Sequence, residues 1–392
     1  MTRTLPQSRA SRLTSLGRQH GQNAIPVNPP IVRASTFLFD KLADFEEAST
    51  HPFDGAFYGR VGTPTTFAFE QAMAELEGGH RSIAAASGVA AIAATLLAFL
   101  DRGDHVLVVD TVYEPVRRFC NRMLSRLGVK TTFYSPSIGA EIADLVCPNT
   151  RLIYMESPGS GTFEVQDIAA IVGVAREKGI RTAIDNTWAT PLLMRPLEHG
   201  IDVSIHAATK YIVGHSDAML GVVTVNEDCY DAVRRATQDL GACAGSEECN
   251  LGLRGLRTLD VRLQRHRTTA LELANWLETR PQVKQVLHPA LESFPGHALW
   301  KRDFSGSSGL FSIELASANP EAARTFIDAL SMFRIGFSWG GFESLVLPVH
   351  PEKSRTLGLW NDMGPVVRLQ VGLEEAADLK ADLAQALDAI PE

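Results

Sequence analysis

Between about residue 66 and residue 225 the chain alternates short apolar runs with amphipathic stretches, and that alternation restricts the fold more than any other feature. His105 to Asp110, Lys130 to Tyr134, Arg151 to Glu156, Arg181 to Asp185, Val203 to Ala207 and Ala218 to Val225 read as strands. Helices fall among them at about 66–77, 88–100, 115–127 and 167–178. The first carries apolar Phe67, Phe69, Met73 and Leu76 on one face and stops at Gly78-Gly79, and the last two stop at Gly128 and Gly179. Short apolar strands separated by helices imply parallel pairing with helices on both faces. Ligands in such sheets bind beyond the carboxyl ends of the strands. The expected fold class is α/β, a mostly parallel central sheet with helices on both faces.

The flanks read differently. Residues 1 to about 60 have weak periodicity, with prolines at 26, 29 and 30 and glycines at 55, 59 and 62, and predict an extended arm. The longest apolar run, around Ile83 to Leu100, is rich in Ala and broken by Ser87-Gly88, which suits a buried core helix rather than a membrane span. A long interrupted amphipathic helix at about 228–280 leads to Val283–Leu287, Leu310–Leu315 and Val366–Val371 as strands and to helices near 320–330 and 375–388. That pattern predicts a smaller α+β domain at the carboxyl end. A chain of 392 residues is too long for one small core. The expected division is an arm at 1–62, a large domain at 63–258 and a small domain at 259–392.

Composition removes some classes of function. Hydrophobic content of 45% and charged content of 21% describe an ordinary globular chain, and a net charge of −8 gives no electrostatic footprint for nucleic acid. Five cysteines (Cys120, Cys147, Cys229, Cys243 and Cys249) lack CxxC spacing and read as reduced structural thiols, with no metal site expected. The segment from Met1 to Arg9 lacks the apolar stretch of a signal peptide, so a cytoplasmic location is expected, with no membrane partner.

Two residues at strand ends carry the chemistry. Lys210 follows the apolar strand Val203 to Ala207 among residues too small to shield it, and Asp185 ends the strand 25 residues upstream. A buried amine and a buried carboxylate at neighbouring strand ends meet the needs of pyridoxal phosphate: Lys for the covalent attachment, Asp for the pyridinium nitrogen. Taken singly, each has a plainer use, Lys210 as a surface lysine and Asp185 as a turn or cap residue. Ser87-Gly88-Val89 opens a helix whose N-terminal N–H groups suit a phosphate, although a tightly packed Ala-rich helix explains the same residues. Thr209 adds a hydroxyl beside Lys210. Tyr113, just past a strand end, either stacks on a cofactor ring or is an ordinary half-buried tyrosine. Arg368, in a strand otherwise built for burial, requires an anion, which is a substrate carboxylate or an internal acid. Tyr58-Gly59-Arg60 stands in the arm, where a solvated loop is the plain reading.

Together these residues resemble the cysteine/methionine-metabolism family of pyridoxal-phosphate enzymes, of fold type I. The resemblance rests on Phe57-Tyr-Gly-Arg60, Ser87-Gly-Val-Ala-Ala91, Asp185-Asn-Thr-Trp188, Ala208-Thr-Lys-Tyr211, Gly214-His-Ser-Asp217 and Arg254-Gly-Leu-Arg-Thr-Leu259. The run from Phe337 to Leu345 is similar to the family's bacterial cystathionine β-lyase branch. The resemblance implies that Lys210 carries the cofactor and moves protons, Asp185 pairs with its ring nitrogen, and Tyr113 stacks on the ring. It implies that Gly88, Val89 and Thr209 hold the phosphate, joined by Tyr58 and Arg60 from a neighbouring subunit of a homotetramer with shared sites. Lys210, Tyr113 and Tyr58 are then the expected catalytic residues. Arg368, Ser338, Trp339 and Tyr113 are the expected contacts of a small amino-acid substrate.

The implied activity is β-elimination of L-cystathionine to homocysteine, pyruvate and ammonia, with broader cysteine S-conjugates in range. Racemisation of an alanine-type amino acid and γ-acting trans-sulfuration are the alternatives on the same fold. Many γ-acting relatives have an acid where this chain has Phe337, which favours β chemistry. Two positions depart from the β-lyase pattern. Val61 stands where those enzymes have an arginine, and Arg118 where they have an acid, both toward the distal end of the substrate. Arg117 and Arg118 are the expected compensating cations.

Overall fold

The computed structural model describes residues 8–18, 24–317, 319 and 321–390, so the amino-terminal peptide up to residue 7 lies outside the described residues. The arm is less extended than its sequence suggests, for it holds α1 (Arg9–Leu13) and α2 (Leu42–Thr50). Leu13 and Leu16 are buried in a cluster with Phe69, Leu253 and Leu256. No residue of α2 is buried, and Leu42 and Phe45 stay exposed. A helix with no face against its own chain needs no apolar stripe, so periodicity gave no sign of it.

In α3 (Pro64–Glu77) the Thr63 side chain accepts from the Thr66 N–H, Pro64 opens the first turn, and Gly78 closes the helix in the left-handed region at φ 72°. The run around Ile83 to Leu100 is two elements, β1 (Arg81–Ala85) and α4 (Gly88–Phe99). Ser87 separates them by capping α4 at the Ala90 N–H, while Ile83 pairs with Val223 in the sheet. Small residues carry little strand preference of their own, and pairing decides the matter. Then follow β2 (His105–Val109), α5 (Glu114–Phe119), β3 (Lys130–Tyr134), β4 (Thr150–Glu156), β5 (Arg181–Asp185), β6 (Val203–His206) and β7 (Gly221–Val225). The expected helix at 115–127 continues α5 as a π-helical turn at Cys120–Leu124.

The seven strands lie in the order β1-β7-β6-β5-β4-β2-β3. Pairing is parallel from β3 through β6, and β7 runs antiparallel to both of its neighbours. That one reversal has a topological cause. No helix crosses between β6 and β7, so the turn bearing Lys210 must send the chain back. The mostly parallel α/β sheet is the expected class. A second sheet of β8 (Val283–Leu287), β9 (Leu310–Leu315), β10 (Arg334–Ile335), β11 (Leu345–Val349) and β12 (Val366–Gln370) has the order β10-β11-β12-β9-β8. It has its own core, which includes Phe311, Ile313, Phe326 and Leu383. All five cysteines are free thiols, and among the described residues no helix is long and apolar enough to cross a membrane.

Candidate active site

A cavity of about 410 Å³ opens at the carboxyl ends of β4, β5 and β6, where the start of α4 and a loop after β10 meet them. The sheet register builds its floor. Glu156 is paired with Asp185, and Asp185 with Ile205, so the three stand in one row across the last rung. Parallel neighbours in register share a face, which puts the two carboxyl side chains next to each other.

Lys210 enters from the β6–β7 turn. Its Nζ donates to Ser338 Oγ at 2.6 Å and lies 5.3 Å from the centroid of the Trp339 ring. Burial, helped by the nearby Arg368 cation and opposed by Asp185, pulls the amine down to about 8. The loop that delivers Ser338 depends on Gly340, at φ 83°, where a Cβ would sit 2.8 Å from the Tyr211 nitrogen and 3.0 Å from the Lys210 carbonyl carbon. Ser338 itself takes a left-handed φ of 80°. It is held there from both ends of its polar inventory: its hydroxyl accepts from Lys210 and its carbonyl from Arg368 Nη2 at 3.1 Å.

Arg368 lies in the middle of β12, opposite Leu347 and Ser312. Among the described residues no carboxylate is within ion-pair distance of it, and its buried Nε has no partner. The internal ion pair offered as the plain reading is therefore absent there. Burial lowers the guanidinium to about 10.

Asp185 accepts from the Thr187 N–H at 2.9 Å, and burial raises its carboxyl while Thr187, His206 and Lys210 pull it back. Glu156, absent from the sequence-level candidates, accepts from the Tyr113 N–H at 2.7 Å and from Ser160 Oγ at 2.6 Å. Burial first, and then the Asp185 charge, push Glu156 up to about 8. The sign that would have revealed it is the one that revealed Asp185, an acid ending an apolar strand. Tyr113 stands just before α5 at the rim, 42% exposed, and burial together with Asp185 and Glu156 raises its phenol.

The opposite end of the cavity offers donors. Gly88 and Val89 lie in the first turn of α4, where N–H groups have no helical acceptor. Only glycine fits at 88, since a Cβ would stand 2.6 Å from the Ala207 Cβ. Thr209 lines the cavity, but its hydroxyl donates to the Leu220 carbonyl at 3.1 Å and accepts the Leu220 N–H at 2.8 Å. To reach a phosphate it would have to turn from Leu220. Tyr58 and Arg60 do not line the cavity of their own chain. Arg60 Nη1 donates to the Gln238 carbonyl at 2.9 Å, and its guanidinium lies 5.8 Å from the Tyr58 ring.

The two proposed compensating cations separate. Arg117 is buried on Asp110 at 2.5 Å, also donates to Thr356 Oγ1, and covers the Phe133 ring at 3.9 Å, so it cannot turn toward a ligand. Arg118 is half exposed and paired with Glu114 at 2.9 Å. Val61 is buried, and its carbonyl accepts from Arg234 at 2.9 Å.

The donor set suits pyridoxal phosphate: an amine pulled toward neutrality, a carboxylate beside it, free N–H groups at a helix start where glycine permits close approach, and an aromatic ring at the rim. Comparison with known proteins agrees. The family model described as Cys/Met metabolism PLP-dependent enzyme matches residues 11–388. The cystathionine beta-lyase MetC of Escherichia coli (strain K12) is 45% identical over 380 residues, covering 95% of this chain and 96% of its own. The L-alanine/L-glutamate racemase of Wolbachia pipientis wMel is 40% identical over 393 residues, with 97% of each covered. Among solved structures, metB from Corynebacterium glutamicum superposes with a TM-score of 0.89 at 30% identity, over 97% of this chain and 98% of that one.

Proposed function

The chain belongs to the Cys/Met metabolism family of PLP-dependent enzymes, and from that premise we propose that it cleaves L-cystathionine by β-elimination to homocysteine, pyruvate and ammonia. The observation that carries the reading is the contact of Lys210 Nζ with Ser338 Oγ, which sets the amine beside the residue whose carbonyl holds Arg368, with the charges of Arg368 and Asp185 both acting on it.

Bound pyridoxal phosphate supplies an electron sink for the substrate's α-carbon. The residues of the chain do the rest. Asp185 holds a proton on the ring nitrogen. Lys210, at about 8, has a neutral fraction near pH 7 that suits a base, and it takes the α-proton. Once that proton has left, the bond from Cβ to sulfur breaks, and the sulfur departs with a proton as the homocysteine thiol. One water is consumed in releasing pyruvate and ammonia. Arg368 receives the α-carboxylate on the part of its fork that Ser338 does not use. Tyr113 would cover the ring from the rim. Gly88 and Val89 would hold the phosphate through their N–H groups, Thr209 would join them on turning from Leu220, and Trp339 packs beside the amine. A γ-elimination needs a second proton removed at Cβ, and Phe337, 90% exposed at the mouth, offers no base for it.

Tyr58 and Arg60 enter this reading as groups lent to the cavity of a neighbouring subunit in a homotetramer. Their position outside their own cavity supports that role. The unpaired thiols support a cytoplasmic enzyme. The test is pyruvate and free thiol from L-cystathionine; no pyruvate from any cysteine thioether would reject the reading. Racemisation is the second reading, favoured by the likeness to the Wolbachia enzyme. D-alanine formed from L-alanine as fast as pyruvate from cystathionine would put it first.

A further inference from the structure

Cystathionine has an amino-acid group at each end, so a site for it must satisfy two carboxylates. The site described above provides one buried cation for that purpose, Arg368. A second guanidinium lines the same cavity, on the segment that joins β11 to β12: Arg355.

This segment is tied across the ends of β2 and β4. Thr356 N–H donates to both oxygens of Asp110 at 3.0 Å, and Leu357 N–H to one of them at 3.1 Å. Trp360 Nε1 donates to Glu164 at 2.5 Å. Within the strap, the Arg355 guanidinium lies 5.4 Å from the centroid of the Trp360 ring, and its hydrogen bonds go to carbonyls. Its Nη1 donates to Asp110 O at 2.8 Å and Val112 O at 3.2 Å, and its Nη2 donates to Ser160 O. Of five N–H donors, the Nε–H and one on Nη2 are left, and Nε is buried without a partner. Because Nε has no exposed surface, what Arg355 can offer a carboxylate in the cavity is its charge and the remaining N–H of Nη2.

The acids around it are engaged elsewhere. Asp110 is paired with Arg117. Glu156 holds Tyr113 and Ser160 and is largely protonated below about 8. Glu164 accepts from Thr162 and Trp360. Among the described residues no carboxylate lies within ion-pair distance of Arg355. A buried cation without its own anion is costly unless a ligand brings one. Arg117 cannot supply that contact, and Val61 has no charge to offer.

We propose that Arg355 receives the distal carboxylate of cystathionine and so selects thioethers that carry a second acidic end. The inference rests on the lyase reading above and goes further by naming what the far wall of the cavity recognises.

The test compares L-cystathionine with S-(3-aminopropyl)-L-cysteine, which is cystathionine without the distal carboxylate, in the holoenzyme. Wild type should prefer cystathionine in kcat/KM by roughly 10- to 100-fold, the worth of one charge-assisted contact. Arg355→Gln should lose most of that preference by lowering the cystathionine value alone. Arg355→Lys, which keeps the charge without the fork, should fall between them. Loosening the strap by Thr356→Val, which removes the hydroxyl that accepts from Arg117 and none of the partners of Arg355, should affect both substrates alike. Equal turnover of the two by wild type would overturn the proposal before any variant is made, and so would an equal loss on both in Arg355→Gln. Pyruvate from neither substrate would sink the lyase reading and this proposal with it, a different result from turnover of both without preference.

Discussion

The two walls of the cavity are built by different means. The floor, at the carboxyl ends of β4, β5 and β6, is fixed by the ladder of a parallel sheet, and Glu156, Asp185 and the turn to Lys210 follow from its register. The facing wall is assembled from a loop after β10, the middle of β12 and a strap beyond β11, joined to the large sheet by contacts such as Lys210–Ser338 and the Thr356 N–H to Asp110 at the end of β2. In the proposed mechanism the reaction chemistry falls to the first wall and the choice of substrate to the second. A rigid sheet suits groups that must keep one geometry, and loops suit groups that vary with the ligand.

The sharpest way to break this comparison is to remove one group from each wall. On the floor, Lys210→Ala should lower pyruvate formation by ~10²–10⁴-fold, the usual worth of a positioned acid–base group. A mild effect would show that the floor does not carry the chemistry. On the facing wall, Arg368→Gln should lower kcat/KM by roughly 10- to 100-fold, with a large part in KM. A fall in kcat alone would move Arg368 to the reacting side.

A third test sharpens the electrostatics of the floor. The Lys210 amine is pulled from 10.5 to about 8 on folding. Below about 8 both states carry the proton, and the folded state bears the full penalty of a buried cation. As pH rises from about 8 to 10.5 the folded state gives up its proton first, so the penalty fades. Cofactor-free Lys210→Met should therefore melt above the cofactor-free wild type near pH 7, with a gap that narrows toward pH 10.5. A gap that widens with pH would contradict the account.

The smallest effect is expected at Glu156. At neutral pH its carboxyl is largely protonated, so Glu156→Gln should cost about 1 kcal/mol, or ~5-fold in kcat/KM, as Tyr113 loosens. The difference should grow above pH 8, where the wild-type group ionises.

The floor was legible in the sequence because its residues end apolar runs of recognisable length. β3, β5 and the strands of the small-domain core at Val283–Leu287 and Leu310–Leu315 stand where the runs put them. Asp185 and Lys210 were found by that rule. Glu156 obeys it too, but no partner residue nearby in sequence singled it out. The facing wall was less legible. Ser338 and Trp339 came from resemblance alone, and Arg355 lies in a segment with no periodicity, its setting made by Asp110 and Ser160 some 200 residues away in sequence. α2 and β1 were missed for a related reason. One buries nothing against its own chain, and the other is a strand only because β7 pairs with it.

The most direct measurement is borohydride reduction of the holoenzyme followed by peptide mapping. The reduced cofactor should be found on the peptide that contains Lys210 and on no other lysine. A label elsewhere, or none, would contradict the assignment of the chemistry to this strand end.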